Sequence, residues 1–233
     1  MTKGFICVAG LSGEQHIRPV LRRGSLAIEL LSLYGGPFDI GVIVDLGKAT
    51  HQPASPHTED YVFNPSQVSV IGVVKEGDFW TILNKVSRSN LKDIFGQELI
   101  PVGPVNYGTD LNSGKVSLGC LKLQEKPSIY LKKRENGKSQ IRLWFNDGEL
   151  QVNAGVTDIR LYRIPDYSPN EELIKKFNAC MKISEEIIIS VGLSRPFASS
   201  PEFDPINWLQ VNNIFLKEKP VWQMRPISQI SNS

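Results

Sequence analysis

Two tight-turn signals, one strand apart, constrain this chain more than anything else in it. Glu135-Asn136-Gly137 separates the runs 130–134 and 140–145, and Asn146-Asp147-Gly148 closes the second run. Asn-Gly and Asp-Gly tolerate the positive φ that short hairpin turns demand, so such pairs between apolar runs predict antiparallel neighbours. With 150–153 and 157–163 added, residues 128–163 read as a meander of three or four short strands. That is the build of a small β-barrel.

The rest of the chain agrees. Residues 5–9, 15–20, 39–46, 67–74, 118–124, 186–191 and 208–216 are β-branched or alternating runs of strand length. Helices are expected over 26–34, capped by Ser25, over 78–86, and over 91–95, capped by Ser89. A fourth is expected after Ser168-Pro169, with Ser168 as cap, Glu171 and Glu172 at the positive end of the dipole, and Leu173, Ile174, Phe177 and Met181 as the apolar stripe. Fifteen prolines and nineteen glycines in 233 residues suit strands and turns better than a helical bundle. The fold class read from this is mainly β with a few helices (α+β). Residues 98–115 are rich in Gly, Pro and Asn and form the natural seam. The division is 1–100, a first barrel with a helical insert; 101–116, a linker or long loop; 117–220, a second barrel; and 221–233, a tail.

The formal net charge is only +2. A nucleic-acid function therefore requires local clustering of charge, not a global field. The hairpin offers such a cluster. Lys132, Lys133 and Arg134 lie on one arm and Lys138 and Arg142 across from them, with Tyr130, Trp144 and Phe145 among them. Strand alternation sends Trp144 and Phe145 to opposite faces, so one can meet a ligand while the other fills the barrel. The competing reading is a solvated charged face over a core holding both rings. Arg18 and Arg195 each precede a proline at a strand end, and Arg225 repeats the pattern. Proline extends the preceding residue and aims its side chain, and an arginine so placed can grip phosphate or brace a loop against Asp39 or Glu59.

Other constellations are weaker. His51 and His57 beside Glu59 and Asp60 lack the spacing of a metal site, which leaves a solvated loop. Gly10-Leu11-Ser12-Gly13 lacks the lysine of a phosphate loop, and Ser12 with His16 lacks an orienting acid. Neither a catalytic set nor a cofactor or metal site emerges, and the expectation is a protein that is not an enzyme. Cys7, Cys120 and Cys180 are odd in number and far apart, reading as free thiols, with Cys7 and Cys120 in buried runs. No membrane partner is expected, and a cytoplasmic location is.

Several phrases, in order, resemble one family. FICVAGLSGEQHIRPV, FDIGVIVDLGKATHQPASPHTEDYVF, LKKRENGKSQIRLWFNDGELQVNAGVTDIRL and ISVGLSRPF are similar to successive segments of the prokaryotic dual OB-fold (DuOB-type) proteins. Departures are a short early loop, Leu11-Ser12-Gly13-Glu14, Glu59-Asp60 where the family reads Glu-Asn, and Ser194 in place of threonine. The resemblance implies two OB-like small β-barrels, no catalytic residues, and nucleic-acid sensing in the setting of bacterial conflict systems. Joined to the residues above, it predicts binding of single-stranded or structured nucleic acid, DNA or RNA, with Arg18, Lys132, Lys133, Arg134, Arg142 and Arg195 on phosphates and Trp144 stacking on a base. The alternative is a protein-interaction or scaffold module, for which 205–208 and Val221-Trp222 offer apolar surface.

Overall fold

The computed structural model describes residues 4–133, 137–164, 166–198 and 204–221. Its second half is built around six strands of six to ten residues: β1 (Leu118–Leu123), β2 (Ser128–Lys133), β3 (Ser139–Asn146), β4 (Gln151–Val156), β5 (Ile187–Leu193) and β6 (Asn207–Leu216). They hydrogen-bond in the order β2-β3-β4-β6-β5-β1. All these ladders are antiparallel except β4 with β6. The two ends of that order are consecutive in sequence, joined through residues 124–127 at Pro127. β1 and β2 therefore act as two halves of one bent strand, the first paired with β5 and the second with β3. With them counted as one, five strands follow the order of an OB fold, with a helix between the third and fourth. That helix, Glu171–Ile183, presents Ile174, Phe177 and Met181 to the core.

Alternation sorts each strand. Ile141, Leu143 and Phe145 of β3 and Val152, Ala154 and Val156 of β4 point inward, into one cluster with Ile129, Ile189, Val211 and Ile214. Phe145 is 2% exposed and its neighbour Trp144 is 39% exposed, as the period of two requires. Behind them, Asp158 and Arg160 form a fully buried pair at 2.6 Å, and Asp158 also accepts from the Ile214 N–H.

The first half is more fragmented. Gly10–Ser12, Gln15–Val20, Asp60–Val62 and Thr50–His51 make a four-stranded sheet; Val42–Asp45 pairs with Ser69–Val73, and Phe5–Ile6 with Leu26–Ala27. Its own core is Ile6, Leu26, Leu31, Phe38 and Phe63. A third cluster joins the halves. Leu83 and Val86 of the helix Glu76–Val86 pack on Cys120, Ile188 and Phe215, side chains on the outer face of β1, β5 and β6.

Several local expectations are corrected. Residues 26–34 are not one helix but a short strand and two 3-10 turns, 28–30 and 32–34. Leu26 and Leu31 are both buried, and a spacing of five does not share a helix face, so Leu31 breaks the turn with extended dihedrals. Ser168 does not cap the late helix. It lies in a two-residue strand against Arg163, and the Asn170 side chain accepts from the Leu173 N–H instead. The cap-like contact to Asp93 N comes from Asn90, not Ser89. Ile100–Pro101 and Tyr107–Thr109, in and beside the expected linker, are strands, the second paired with β6. Cys7 is exposed, whereas Cys120 is buried. Val221 is buried, and Trp222 lies outside the described residues.

Candidate nucleic-acid interface

Residues paired directly across a sheet share a face. The register places Tyr130 opposite Arg142, Arg142 opposite Gly155, and Gly155 opposite Gln210, one row across β2, β3, β4 and β6. The flanking rows on the same outer face are Lys132 with Gln140, and Ser128 with Trp144 and Asn153. Lys132, Trp144 and Tyr130 are exposed. Arg142 lies flat across β4. Its Nε donates to Asn153 Oδ1 at 3.0 Å and its Nη2 to Asn106 Oδ1 at 2.7 Å and to the Asn153 carbonyl. Asn153 Nδ2 in turn donates to the Tyr130 hydroxyl at 2.7 Å. Gly155, in the same row, leaves room for the Gln140 side chain, since a Cβ there would come within 2.8 Å of Gln140 Nε2.

A pocket of about 140 Å³ opens where β4 and β6 part after pairing only at Gly155–Gln210 and Val156–Val211. Gln140, Arg142, Asn153 and Gln210 line it from the sheet, Asn106 and Tyr107 from the segment between the halves, and Phe197 and Trp208 from the strand ends. That intervening segment runs along the free edge of β4, where the Asn153 N–H donates to the Val105 carbonyl at 2.7 Å.

Arg18 is placed elsewhere. It is 9% exposed and donates to His57 Nδ1 at 2.8 Å, Asp60 Oδ1 at 3.2 Å and Ser117 Oγ at 2.8 Å. Glu59 accepts from the Ser117 and Leu118 N–H groups and the Ser117 hydroxyl. These residues tie the loop of the first half to the strand that opens the second. Arg195 joins the same carboxylate, Nη2 to Asp60 Oδ2 at 2.5 Å, but its side chain is 55% exposed. Lys133 is exposed at the end of β2; Arg134 lies outside the described residues. The sequence-predicted set is thus divided: Lys132, Arg142 and Trp144 share one face, Arg195 lies at a loop two residues from pocket-lining Phe197, and Arg18 is a brace.

A family model described as the dual OB-containing domain matches residues 1–214. The chain belongs to the dual OB-containing domain family. Comparison with curated proteins and with solved structures gives no match. A dual OB domain is a fold suited to binding nucleic acids or oligonucleotides, and in OB folds the second and third strands carry the ligand face. Here those strands are β3 and β4, the strands of Arg142, Trp144 and Asn153.

Two further constellations in this dual OB protein have other chemistry. His57 is buried, not in a solvated loop. Burial, with the Arg195 and Arg18 charges beside it, pushes its pKa down to about 4, so the ring is neutral at pH 7. Arginine only donates, so Arg18 fixes Nδ1 as the acceptor and leaves the proton on Nε2. Cys120 Sγ lies 3.7 Å from His16 Nε2. Burial pushes that thiol up to about 11, the reverse of what a nucleophilic cysteine needs. Among the described residues no cluster of three or more His, Cys, Asp or Glu side chains has metal-site geometry, and no helix is long and apolar enough to cross a membrane.

The pocket residues Asn106, Asn153, Gln140 and Gln210 escaped the sequence reading. Gln140 could have been found, because it shares the alternation of Arg142 and Trp144. Asn106 carried no such signal, since its place depends on a backbone bond to a strand some fifty residues away.

Proposed function

We propose that the protein is a non-catalytic, cytoplasmic nucleic-acid-binding protein that holds single-stranded or structured DNA or RNA on the outer face of β3 and β4. The observation that carries this is the four-strand row Tyr130–Arg142–Gly155–Gln210, flanked by exposed Lys132 and exposed Trp144. Lys132, Lys133 and Arg195 supply phosphate contacts, and Trp144 supplies a π surface on which a base stacks. Such stacking contributes roughly 1–3 kcal/mol per base. Arg142 is already engaged by two asparagines and organises the face. Arg18, held between Asp60, His57 and Ser117, fixes the Asp60 carboxylate to which Arg195 is also tied. The family resemblance supplies the setting, prokaryotic conflict systems.

Filter-binding titrations with single-stranded oligonucleotides at increasing salt test this. Micromolar or tighter binding that weakens steeply with salt is expected, because each phosphate contact releases counterions. A lack of binding to every oligonucleotide at low salt would overturn it.

A second reading, a protein-interaction module, draws on a different surface. Val70, Ile71 and Val73 are exposed on one strand of the two-stranded ladder 42–45/69–73, with Ile71 67% exposed. Clustered exposed apolar side chains of this kind mark interaction sites. A pull-down that resists nuclease and high salt, and is lost on Ile71→Asp, would favour it.

A further inference from the structure

The pocket between β4 and β6 differs from the rest of the open face in its chemistry. Four side-chain amides, Asn106, Gln140, Asn153 and Gln210, converge on it, walled by Tyr107, Phe197 and Trp208. An amide carries a donor and an acceptor side by side, which is the pattern that base edges present and the reason Asn and Gln read bases. Several of these groups are held in place. Arg142 fixes the oxygens of Asn106 and Asn153 by donating to both. Trp208 Nε1 donates to the Phe197 carbonyl at 3.0 Å, and the two rings lie 5.9 Å apart. The volume is below that of the usual drug-sized site and suits a single flat ring.

We infer that this pocket takes one unstacked nucleobase and reads its edge, so that binding has a base preference set by Gln210, Gln140 and Asn106. The inference rests on the nucleic-acid reading above and adds base selection to it. The base can come from a strand or from a free nucleotide, and the two sources are separable.

The test compares the four ten-residue homo-oligonucleotides and the four nucleoside monophosphates, each titrated against the full chain, Gln210→Ala, Gly155→Ala and Trp144→Ala. Thermal melting confirms that each variant folds. Gly155→Ala displaces the flexible end of Gln140 by its Cβ, which keeps the test alive if Gln210→Ala fails to fold. The expected spread among homo-oligonucleotides is about tenfold for the full chain, the worth of one well-made base-edge contact. It should shrink to less than about threefold in Gln210→Ala or Gly155→Ala, while Trp144→Ala weakens all four oligonucleotides in parallel and preserves the spread. Equal affinity for all four bases, or a spread unchanged in both pocket variants, overturns the inference and leaves strand binding standing. Base-selective binding of monophosphates with no oligonucleotide binding upholds the pocket and overturns strand binding. Absence of binding to any of the eight probes overturns both.

Discussion

The two sides of the sheet in the second half are made by the same alternation and end in opposite states. On the side of β1, β5 and β6, the outward residues Cys120, Ile188 and Phe215 are apolar and lie under Leu83 and Val86. On the side of β2, β3 and β4, the outward residues Lys132, Gln140, Arg142, Trp144 and Asn153 are polar or aromatic, with Lys132 and Trp144 exposed and the other three half-buried. Outward position alone decides neither burial nor function. The covered side tells where the first half docks, and the uncovered side tells what is left for a ligand. Arginines mark the same division: Arg18 is consumed in the junction, while Arg142 is spread across the open face.

This contrast predicts unequal costs. Asp60→Ala strips the buried Arg18 of its carboxylate, and breaking one partner of a buried pair costs about 3–5 kcal/mol. A chemical denaturation curve should show that loss, and a near-wild-type midpoint would mean the junction is not a buried ion pair. Phe145→Ala and Trp144→Ala sharpen the comparison on adjacent residues. The first should cost about 3–5 kcal/mol of stability as a core truncation. The second should leave the melting temperature nearly unchanged and weaken oligonucleotide binding by about 1–3 kcal/mol. Equal stability losses in the two variants would contradict the assignment of faces.

Acid should act on the junction first. His57 has a folded pKa of about 4 against an ordinary 6.5, so the unfolded chain takes up its proton at higher pH than the folded one. The stability that a neutral His57 confers is complete above pH 6.5 and is lost as pH falls from there through 4. Melting curves should decline across that window, and His57→Gln should flatten the upper part of it, above the carboxylate range. The smallest effect is on salt dependence. Lys132→Ala should lower the slope of log affinity against log salt by about 0.7 for a single strand. The same change should leave the Arg18 junction and its melting behaviour untouched.

Much of the open face was legible because it depends on local rules. The turn residues at 146–148 and the period of two sent Phe145 and Trp144 to opposite faces and set Arg142 on the same face as Trp144; which ring lies inside is fixed by packing, with Phe145 2% exposed. The junction was not legible. Asp60 and Arg18 are 42 residues apart, and Glu59 reaches Ser117 and Leu118 across nearly sixty. An arginine before proline looks the same in sequence whether its partner is a phosphate or a buried carboxylate. The region 26–34 misled for a related reason. Its leucines fit a helix by propensity, but Leu26 and Leu31 had to meet one core, and tertiary packing overrode propensity.

Fluorescence anisotropy of a labelled single-stranded oligonucleotide, titrated at low salt with the full chain and with Trp144→Ala, bears most directly on the open face as the ligand surface. Tight binding by the full chain, reduced roughly five- to 150-fold in a variant that melts normally, is the outcome expected here. Identical binding curves for the two proteins would move the ligand to another surface.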